Sequence, residues 1–176
     1  VGVICVGGTV CVVGRNGFKY GEFSGSFSDE AIVWNNTEVL GSGIDDIGKA
    51  YEEIGKQLNV PVLKLRYMPR EMSFKELQIR GKKAVIKFQF GKNIIRLVEI
   101  SGYQETIDVH VSDRVIYDKV YNRQLKQDIF LSKNELENGQ IEFGASIKSD
   151  TAYYYFSGIL SEEEFDKIVN EFYFAQ

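Results

Sequence analysis

The sequence contains little proline, histidine or cysteine. Its 176 residues include 2 Pro, 1 His and 2 Cys, against 10 Tyr and 12 Phe. The scarcity of proline together with the many aromatic residues argues against a disordered coat protein and favours strands joined by short turns. Because 44% of the residues are apolar and 26% are charged, the composition is that of a globular chain able to bury a core.

The single histidine, His110, excludes the most familiar catalytic and metal sites. A nucleophilic triad needs a base, and His110 is the only histidine that could serve as one. Structural zinc takes four ligands, and the chain has no second histidine to contribute to such a set. Asp108 and Asp113 lie near His110, but we interpret His110 as a solvated strand residue. The glycines at 7–8 and 41–43 lack a phosphate-loop lysine and a dinucleotide-binding fingerprint. The sequence therefore predicts a protein without a catalytic residue, a cofactor or a bound metal.

The two cysteines, Cys5 and Cys11, lie in an uncharged run that ends before Arg15. The run has 14 residues, fewer than the roughly twenty that span a bilayer. Since the chain starts at Val, we expect residues 1–14 to be the end of a signal peptide or membrane anchor, with a buried strand or helix as the alternative. Lipid attachment at either cysteine is a further alternative, although Ile4 and Val10 stand where a small residue normally precedes the modified cysteine.

The remaining residues divide into a spacer and one domain. Residues 15–41 are rich in Gly, Ser and Asn and predict a spacer. Residues 42–176 have the periodic apolar pattern of a single α+β domain. The absence of cysteine after Cys11 fits an exported domain, and it fits a small cytosolic domain nearly as well. With residues 1–14 as an anchor, we expect an extracytoplasmic domain tethered to the membrane by its N-terminal segment.

Apolar spacing predicts a first helix over 44–58. We expect Ser42 to be its N-cap, with Asp45 and Asp46 in the first turn, where the helix dipole favours anions. The apolar face of the helix is formed by Ile44, Ile47, Tyr51, Ile54 and Leu58.

From residue 62 the apolar period changes from about 3.6 to 2. Segments 62–67, 74–80, 84–90 and 93–100 are separated by turn signals such as Gly81-Lys82, and 106–111, 140–148 and 151–158 alternate in the same way. Alternation in 84–90 places Phe88 and Phe90 toward the core, and Lys83 and Lys87 toward water. We predict an α+β fold in which a twisted antiparallel meander packs against a C-terminal amphipathic helix and one N-terminal helix.

The stretch 153–174 predicts a tyrosine-rich strand followed by the closing helix. Ser161 is the expected N-cap, Glu164 completes a capping box, and Leu160 can pack onto Phe165. The apolar stripe of this helix is Phe165, Ile168, Val169 and Phe172. The less regular residues 113–139 predict another strand, a connecting excursion and a short helical turn at 132–136.

The tyrosine-rich strand, the residues Ser157, Gly158, Leu160, Ser161, Glu163 and Glu164, and the amphipathic helix after them resemble the C-terminus of a known domain. It is an uncharacterised extracytoplasmic domain of Gram-positive bacteria, of the DUF4367-like family. The resemblance covers roughly 62–174 and implies a domain behind a single membrane segment, sometimes in anti-sigma-factor-like proteins. The family's Tyr-x-Pro-x-Gly-aromatic element corresponds to residues 67–72, where Glu71 replaces the glycine and Met72 the aromatic residue. No catalytic residue carries over.

The charges are distributed unevenly along the chain. Residues 64–96 carry ten basic and two acidic groups, whereas 97–176 carry seven basic and fifteen acidic groups. In a sheet, opposite charges on neighbouring strands can simply pair. A second interpretation is a basic face, formed by Lys83, Lys87, Lys92 and Arg96, that holds an anionic wall polymer or lipid surface. Nucleic acid is not expected, because the interleaved aromatic side chains go to the core and leave no stacking platform.

We therefore predict a non-enzymatic, membrane-tethered extracytoplasmic domain whose sheet or edge strands contact another protein, in sensing or regulation. The anionic-ligand module is the alternative. An unrecognised hydrolase is the least favoured interpretation, since the acidic residues fall into no recognised catalytic pairing.

Overall fold

The computed structural model of the chain describes residues 46–102 and 115–175. These residues form two helices and nine strands within one compact unit. In chain order they are α1 (Ile47–Leu58), β1 (Leu63–Leu65), β2 (Met72–Arg80), β3 (Lys83–Phe90), β4 (Asn93–Ser101), β5 (Val115–Asn122), β6 (Gln127–Glu135), β7 (Ile141–Lys148), β8 (Ala152–Gly158), α2 (Glu162–Asn170) and β9 (Phe172–Phe174). The predictions for residues 1–14, for 15–41 and for His110 lie outside the described residues.

The predicted α+β class is confirmed, with one helix before and one helix after an antiparallel sheet. The seven-stranded sheet has the order β2-β3-β4-β8-β7-β6-β5. It consists of two meanders, β2–β4 and β5–β8, which meet because β4 pairs antiparallel with β8. In the first meander, Gly81 and Gly91 adopt φ values of 55° and 57°. A positive φ at the first of two turn residues suits tight hairpins, and glycine reaches it without steric cost.

A second, two-stranded sheet joins distant parts of the chain. β1 pairs antiparallel with β9, with Leu63 opposite Phe174 and Leu65 opposite Phe172. The helix predicted to extend to Phe172 therefore ends at Asn170, and Phe172 is instead a fully buried strand residue. The helix ends before Phe172 because Phe172–Phe174 pair with β1 instead.

The start of α1 also differs from the prediction. Asp46, rather than Ser42, is the N-cap, and its Oδ1 accepts hydrogen bonds from the backbone N–H groups of Gly48 at 2.7 Å and Lys49 at 3.1 Å. A carboxylate so placed satisfies two free donors of the first turn. The helix ends at Leu58, and Asn59 adopts the left-handed conformation with φ 53°.

Ser161 is confirmed as the N-cap of α2, but the Glu164 carboxylate, which was expected to complete a capping box, bonds Tyr67 instead. Ser161 Oγ accepts the hydrogen bond of the Glu164 N–H at 3.3 Å, while the Glu164 carboxylate accepts one from the Tyr67 hydroxyl at 2.8 Å. Phe165, Ile168 and Val169 are buried. Glu164 thus links the first turn of the helix to the segment after β1.

The irregular stretch 113–139 is mostly strand in its described part. The helical turn predicted at 132–136 is wrong, because β6 continues to Glu135 and pairs with β7. Local sequence favoured a capped turn there, but pairing with strands on both sides satisfies the backbone along the whole of β6. β5, which pairs with β6, carries a bulge between Ile116 and Asp118.

Both helices pack against one face of the sheet, and the core lies between them and that face. The Phe165 ring is 5.2 Å from the Phe143 ring and 6.2 Å from the Phe156 ring, measured between centroids. Phe88 is fully buried in this core and Phe90 packs against it, as predicted. The helices of the described residues are too short and polar to cross a bilayer.

Candidate functional site

The opposite face of the seven-stranded sheet, here called the outer face, carries the residues from which a site can be built. Strand register aligns one row of residues across its middle: Glu76, Lys87, Arg96, Ser157, Gly144, Ser132 and Ile116. Directly opposite residues have Cβ atoms about 5 Å apart. Charged groups therefore occupy one end of the row, small polar groups its middle, and an apolar side chain its far end.

The structure brings together two of the four residues predicted to form the basic face. Lys87 lies directly opposite Arg96, and Lys87 Nζ is 2.8 Å from Glu76 Oε1. Lys83 stands at the start of β3, whereas Lys92 is exposed in the turn after it. The length of the strand, roughly 25 Å, separates Lys83 from Lys92. A single basic face that holds an anion stays a prediction.

The centre of the outer face is more buried than the alternating pattern predicted. Val85 and Val98 are fully buried, Arg96 is 7% exposed, and the Lys87 side chain is 13% exposed. The expectation that the lysines of β3 go to water is therefore wrong for Lys87. Its charge is compensated by Glu76 rather than by solvent.

Two hydroxyl groups are buried in the middle of the row. The Oγ atoms of Ser132 and Ser157 have no hydrogen-bond partner, and each of these residues lies directly opposite Gly144. A methyl group at Gly144 would collide with the Tyr155 hydroxyl and with Ser132 Oγ. The glycine is therefore required for the close approach of β6, β7 and β8 at this point.

The β5 end of the outer face is exposed and apolar. Ile116 and Tyr121 are each 58% exposed and Phe130 is 39% exposed. Ile116 lies opposite Ser132 and Tyr121 opposite Asp128, so Phe130 sits diagonally between the two. Diagonal neighbours are within reach of aromatic side chains. We call Ile116, Tyr121 and Phe130 the apolar patch.

A charged pair borders the apolar patch. Lys119 lies opposite Phe130, and its Nζ is 2.8 Å from Asp128 Oδ2. The hydrogen bond to Asp128 is the main reason why the pKa of Lys119 is raised. The patch thus has an apolar centre and a polar margin, which is the arrangement found in many protein interfaces.

The other two exposed large hydrophobic residues of the described chain, Tyr117 and Ile141, lie on β5 and β7. Tyr117, in the β5 bulge, is covered on one side by Lys133, whose Nζ is 4.1 Å from the ring centroid. Ile141 is exposed at the start of β7. Across residues 46–102 and 115–175, every exposed large hydrophobic side chain lies on β5, β6 or β7. The β2–β4 half of the sheet has no comparable surface in that part of the chain.

An open groove of about 620 Å³ lies between the segment after β1 and α2. It is lined by Arg66, Tyr67, Glu163, Asp166, Lys167, Asn170 and Glu171. Lys167 Nζ is 2.7 Å from Glu163 Oε1, and this contact lowers the pKa of Glu163. Arg66 lies over the Tyr173 ring at 5.0 Å. The groove is thus lined by charges of both signs, with Arg66 and Lys167 beside Glu163, Asp166 and Glu171.

Within 46–102 and 115–175, no three His, Cys, Asp or Glu side chains are grouped as metal ligands would be. Comparison of the chain with family models, with curated proteins and with solved structures finds no match.

Sequence reasoning missed the apolar patch and a buried acid, Glu99. The patch could not be read from the sequence, because residues 113–139 show no clean alternation and the bulge shifts the faces of β5. Glu99 could have been found, because it continues the alternation of Ile95 and Leu97 toward the core.

Proposed function

We propose that this chain is a non-enzymatic interaction domain that contacts another protein through the apolar patch. The observation that carries the proposal is the grouping of three exposed large hydrophobic side chains of the described residues, Ile116, Tyr121 and Phe130, on the outer face of β5 and β6. Isolated exposed hydrophobic residues are common on proteins, but a group of them on one surface marks an interaction site. Tyrosine and phenylalanine are also enriched in interfaces.

The mode of contact follows from the edge strand. Within the described ranges β5 is paired on one side only, by β6. The bulge at Ile116–Asp118 and the exposed Lys119 are features that discourage strand addition at a sheet edge. The partner is therefore expected to pack against the side chains of the patch rather than to extend the sheet.

Membrane tethering and an extracytoplasmic location belong to this proposal as expectations from residues 1–14 and from the family resemblance. A tethered domain that offers one apolar patch suits a sensing or regulatory role, in which a second protein is bound and released. The proposal assigns no reaction to the chain.

Site-specific photocrosslinking in the producing cell tests the proposed surface. A photoreactive phenylalanine at Tyr121 should give a covalent adduct with one defined protein, because this side chain is 58% exposed in the patch. Phe130→Asp in the same chain should lower the adduct yield about tenfold or more, since a buried charge at an interface anchor costs well over 1 kcal/mol.

The matched control places the photoreactive residue at Glu52, which is exposed on α1. An equal adduct from Glu52, or an adduct at Tyr121 that survives Phe130→Asp, would contradict the proposed surface. An adduct with twice the mass of the chain would identify a second copy and contradict a different protein as the partner.

The alternative function is binding of an anionic polymer or lipid surface through Lys83, Lys87, Lys92 and Arg96. The observation that favours it is that strand register places Lys87 directly opposite Arg96, so two basic side chains stand side by side on the outer face.

Binding to polyphosphate and to vesicles that contain phosphatidylglycerol tests this alternative. At low salt, Lys83→Glu combined with Lys87→Glu should weaken binding at least tenfold, and added salt should abolish it. The charge-matched control is Lys56→Glu combined with Lys126→Glu, two exposed positions away from the face. Equal losses in both double variants would show a nonspecific charge effect and exclude the basic face.

A further inference from the structure

Glu99 is a carboxyl group enclosed in the core. It lies on the core face of β4, directly opposite Ala84 of β3 and Tyr154 of β8, and it is 0% exposed. Neither carboxyl oxygen has a hydrogen-bond partner of normal geometry. Burial strongly disfavours the charged form of a carboxylate in such a place, so folding favours the neutral form of Glu99.

Two tyrosine hydroxyls beside Glu99 fasten the segment that enters the sheet. The Tyr51 hydroxyl of α1 accepts a hydrogen bond from the Leu65 N–H at 3.2 Å. The Tyr154 hydroxyl of β8 donates one to the Pro61 carbonyl oxygen at 2.5 Å. These bonds hold residues 61–65, and with them β1, between the helix and the sheet.

No cation among the described residues compensates a charge on Glu99. The ionisable groups that interact electrostatically with it are Tyr51 of α1 and Tyr154 of β8, and Tyr51 in turn interacts with Tyr173 of β9. Lys64 of β1 lies over the Tyr51 ring, with Nζ 5.2 Å from the centroid. Burial is the main cause of the raised pKa of both Tyr51 and Tyr154, and the nearby carboxylate adds to it.

We propose that Glu99 is a pH-sensitive latch, in which the neutral carboxyl keeps α1 and β1 packed on the sheet and its ionisation releases them. Loss of one proton from the carboxyl creates a buried negative charge beside two phenols, which cannot neutralise it. The charge reaches water most directly if the 61–65 segment and α1 move away from β4 and β8. Breaking the Tyr154 bond frees the 61–65 segment from the sheet, and breaking the Tyr51 bond frees it from α1, while the hairpins of the sheet remain.

The direction in which pH changes the stability of the fold follows from the raised pKa of Glu99. Burial raises the pKa of Glu99 well above its ordinary value of 4.5, and the backbone N–H of Leu63 lowers it to a smaller extent. The unfolded chain therefore loses this proton first. Stability is fully present below about pH 4.5 and falls as the pH rises toward the folded-state value.

Urea unfolding of the full chain between pH 5 and pH 8 tests the latch, with Glu99→Gln as the variant. The folding equilibrium constant of the unchanged chain should fall by up to tenfold per pH unit more than that of the variant, because one proton is released. The variant should also be the more stable of the two at pH 8. Parallel pH profiles would overturn the proposal.

Hydrogen exchange at the Leu65 amide separates local release from general unfolding. After correction for the faster intrinsic exchange at higher pH, the protection of the Leu65 amide should decrease as the pH rises in the unchanged chain. In Glu99→Gln the protection should stay the same. The control Glu52→Gln removes an exposed acid from α1 and should leave the pH profile unaltered. Equal protection of Leu65 at pH 5 and pH 8 in the unchanged chain would contradict the latch.

A carbon-13 titration of the Glu99 carboxyl in the unchanged chain gives a test that does not depend on how the variant folds. The resonance should show a protonated carboxyl well above pH 4.5. Titration of Glu99 near that ordinary value would overturn the proposal.

Discussion

At the residue scale, Gly144 shows how a side chain that is missing shapes the outer face. The strands on either side present Ser132 and Ser157, and Tyr155 reaches into the space that a Cβ would occupy. Because Tyr155 and Ser132 are buried, neither can easily move into solvent.

We expect Gly144→Ala to lower the free energy of unfolding by about 1–3 kcal/mol, the usual cost of overfilling a packed site. Urea unfolding gives this value. The control is Gly55→Ala in α1, where the new methyl group would meet only Val62 Cγ2, at 3.4 Å. This change should stabilise the chain by up to about 1 kcal/mol, because alanine favours helix over glycine. If both variants were stabilised, the close approach at Gly144 would be disproved.

At the element scale, the N-cap of α2 can be predicted from the sequence, whereas the residue at which the helix ends cannot. Ser161 Oγ caps the helix by accepting the hydrogen bond of the Glu164 N–H. Three residues of the helix are buried, and one of them, Phe165, packs on Phe143 and Phe156. Its last predicted apolar position, Phe172, is taken by β9, because pairing with Leu65 satisfies the backbone there.

Ser161→Ala should cost about 1 kcal/mol of unfolding free energy, since it leaves a backbone donor of the first turn without its acceptor. Ser161→Asp should retain most of the stability, because a carboxylate caps equally well and complements the helix dipole. Thermal or urea unfolding distinguishes the two. Ser73→Ala, at an exposed strand position, is the matched control and should change the value by less than about 0.5 kcal/mol. Equal losses for Ser161→Ala and Ser161→Asp would rule out capping as the cause.

At the scale of the whole molecule, alternation predicted which strands exist, but not their order. The faces of 84–90 and 140–148 follow from a period of 2, so the core positions of Phe88 and Phe143 were readable. The pairing of β4 with β8 depends on contacts between residues far apart in the chain, which local pattern does not encode. The outer face was misjudged for the same reason, since burial of Val85 depends on the whole sheet rather than on β3 alone.

The ion pairs show how the uneven distribution of charge along the chain is balanced. The described ion pairs join neighbours within the basic middle, as in Lys87 with Glu76, or within the acidic remainder, as in Lys133 with Glu162. In these cases each basic residue is paired with an acidic residue of its own region of the chain. The apolar patch arises where β5 and β6 carry exposed Tyr121 and Phe130, a combination visible only once the two strands are placed side by side.

The pairing of β1 with β9 has a consequence for biosynthesis. Leu63 emerges from the ribosome early, but its strand partner Phe174 emerges only when nearly all of the described chain has been made. Contacts of such large sequence separation slow folding, because a long loop must close before they form. During translation, the backbone groups of β1 therefore remain without their strand partner, and α1 without this support, until β9 has been synthesised.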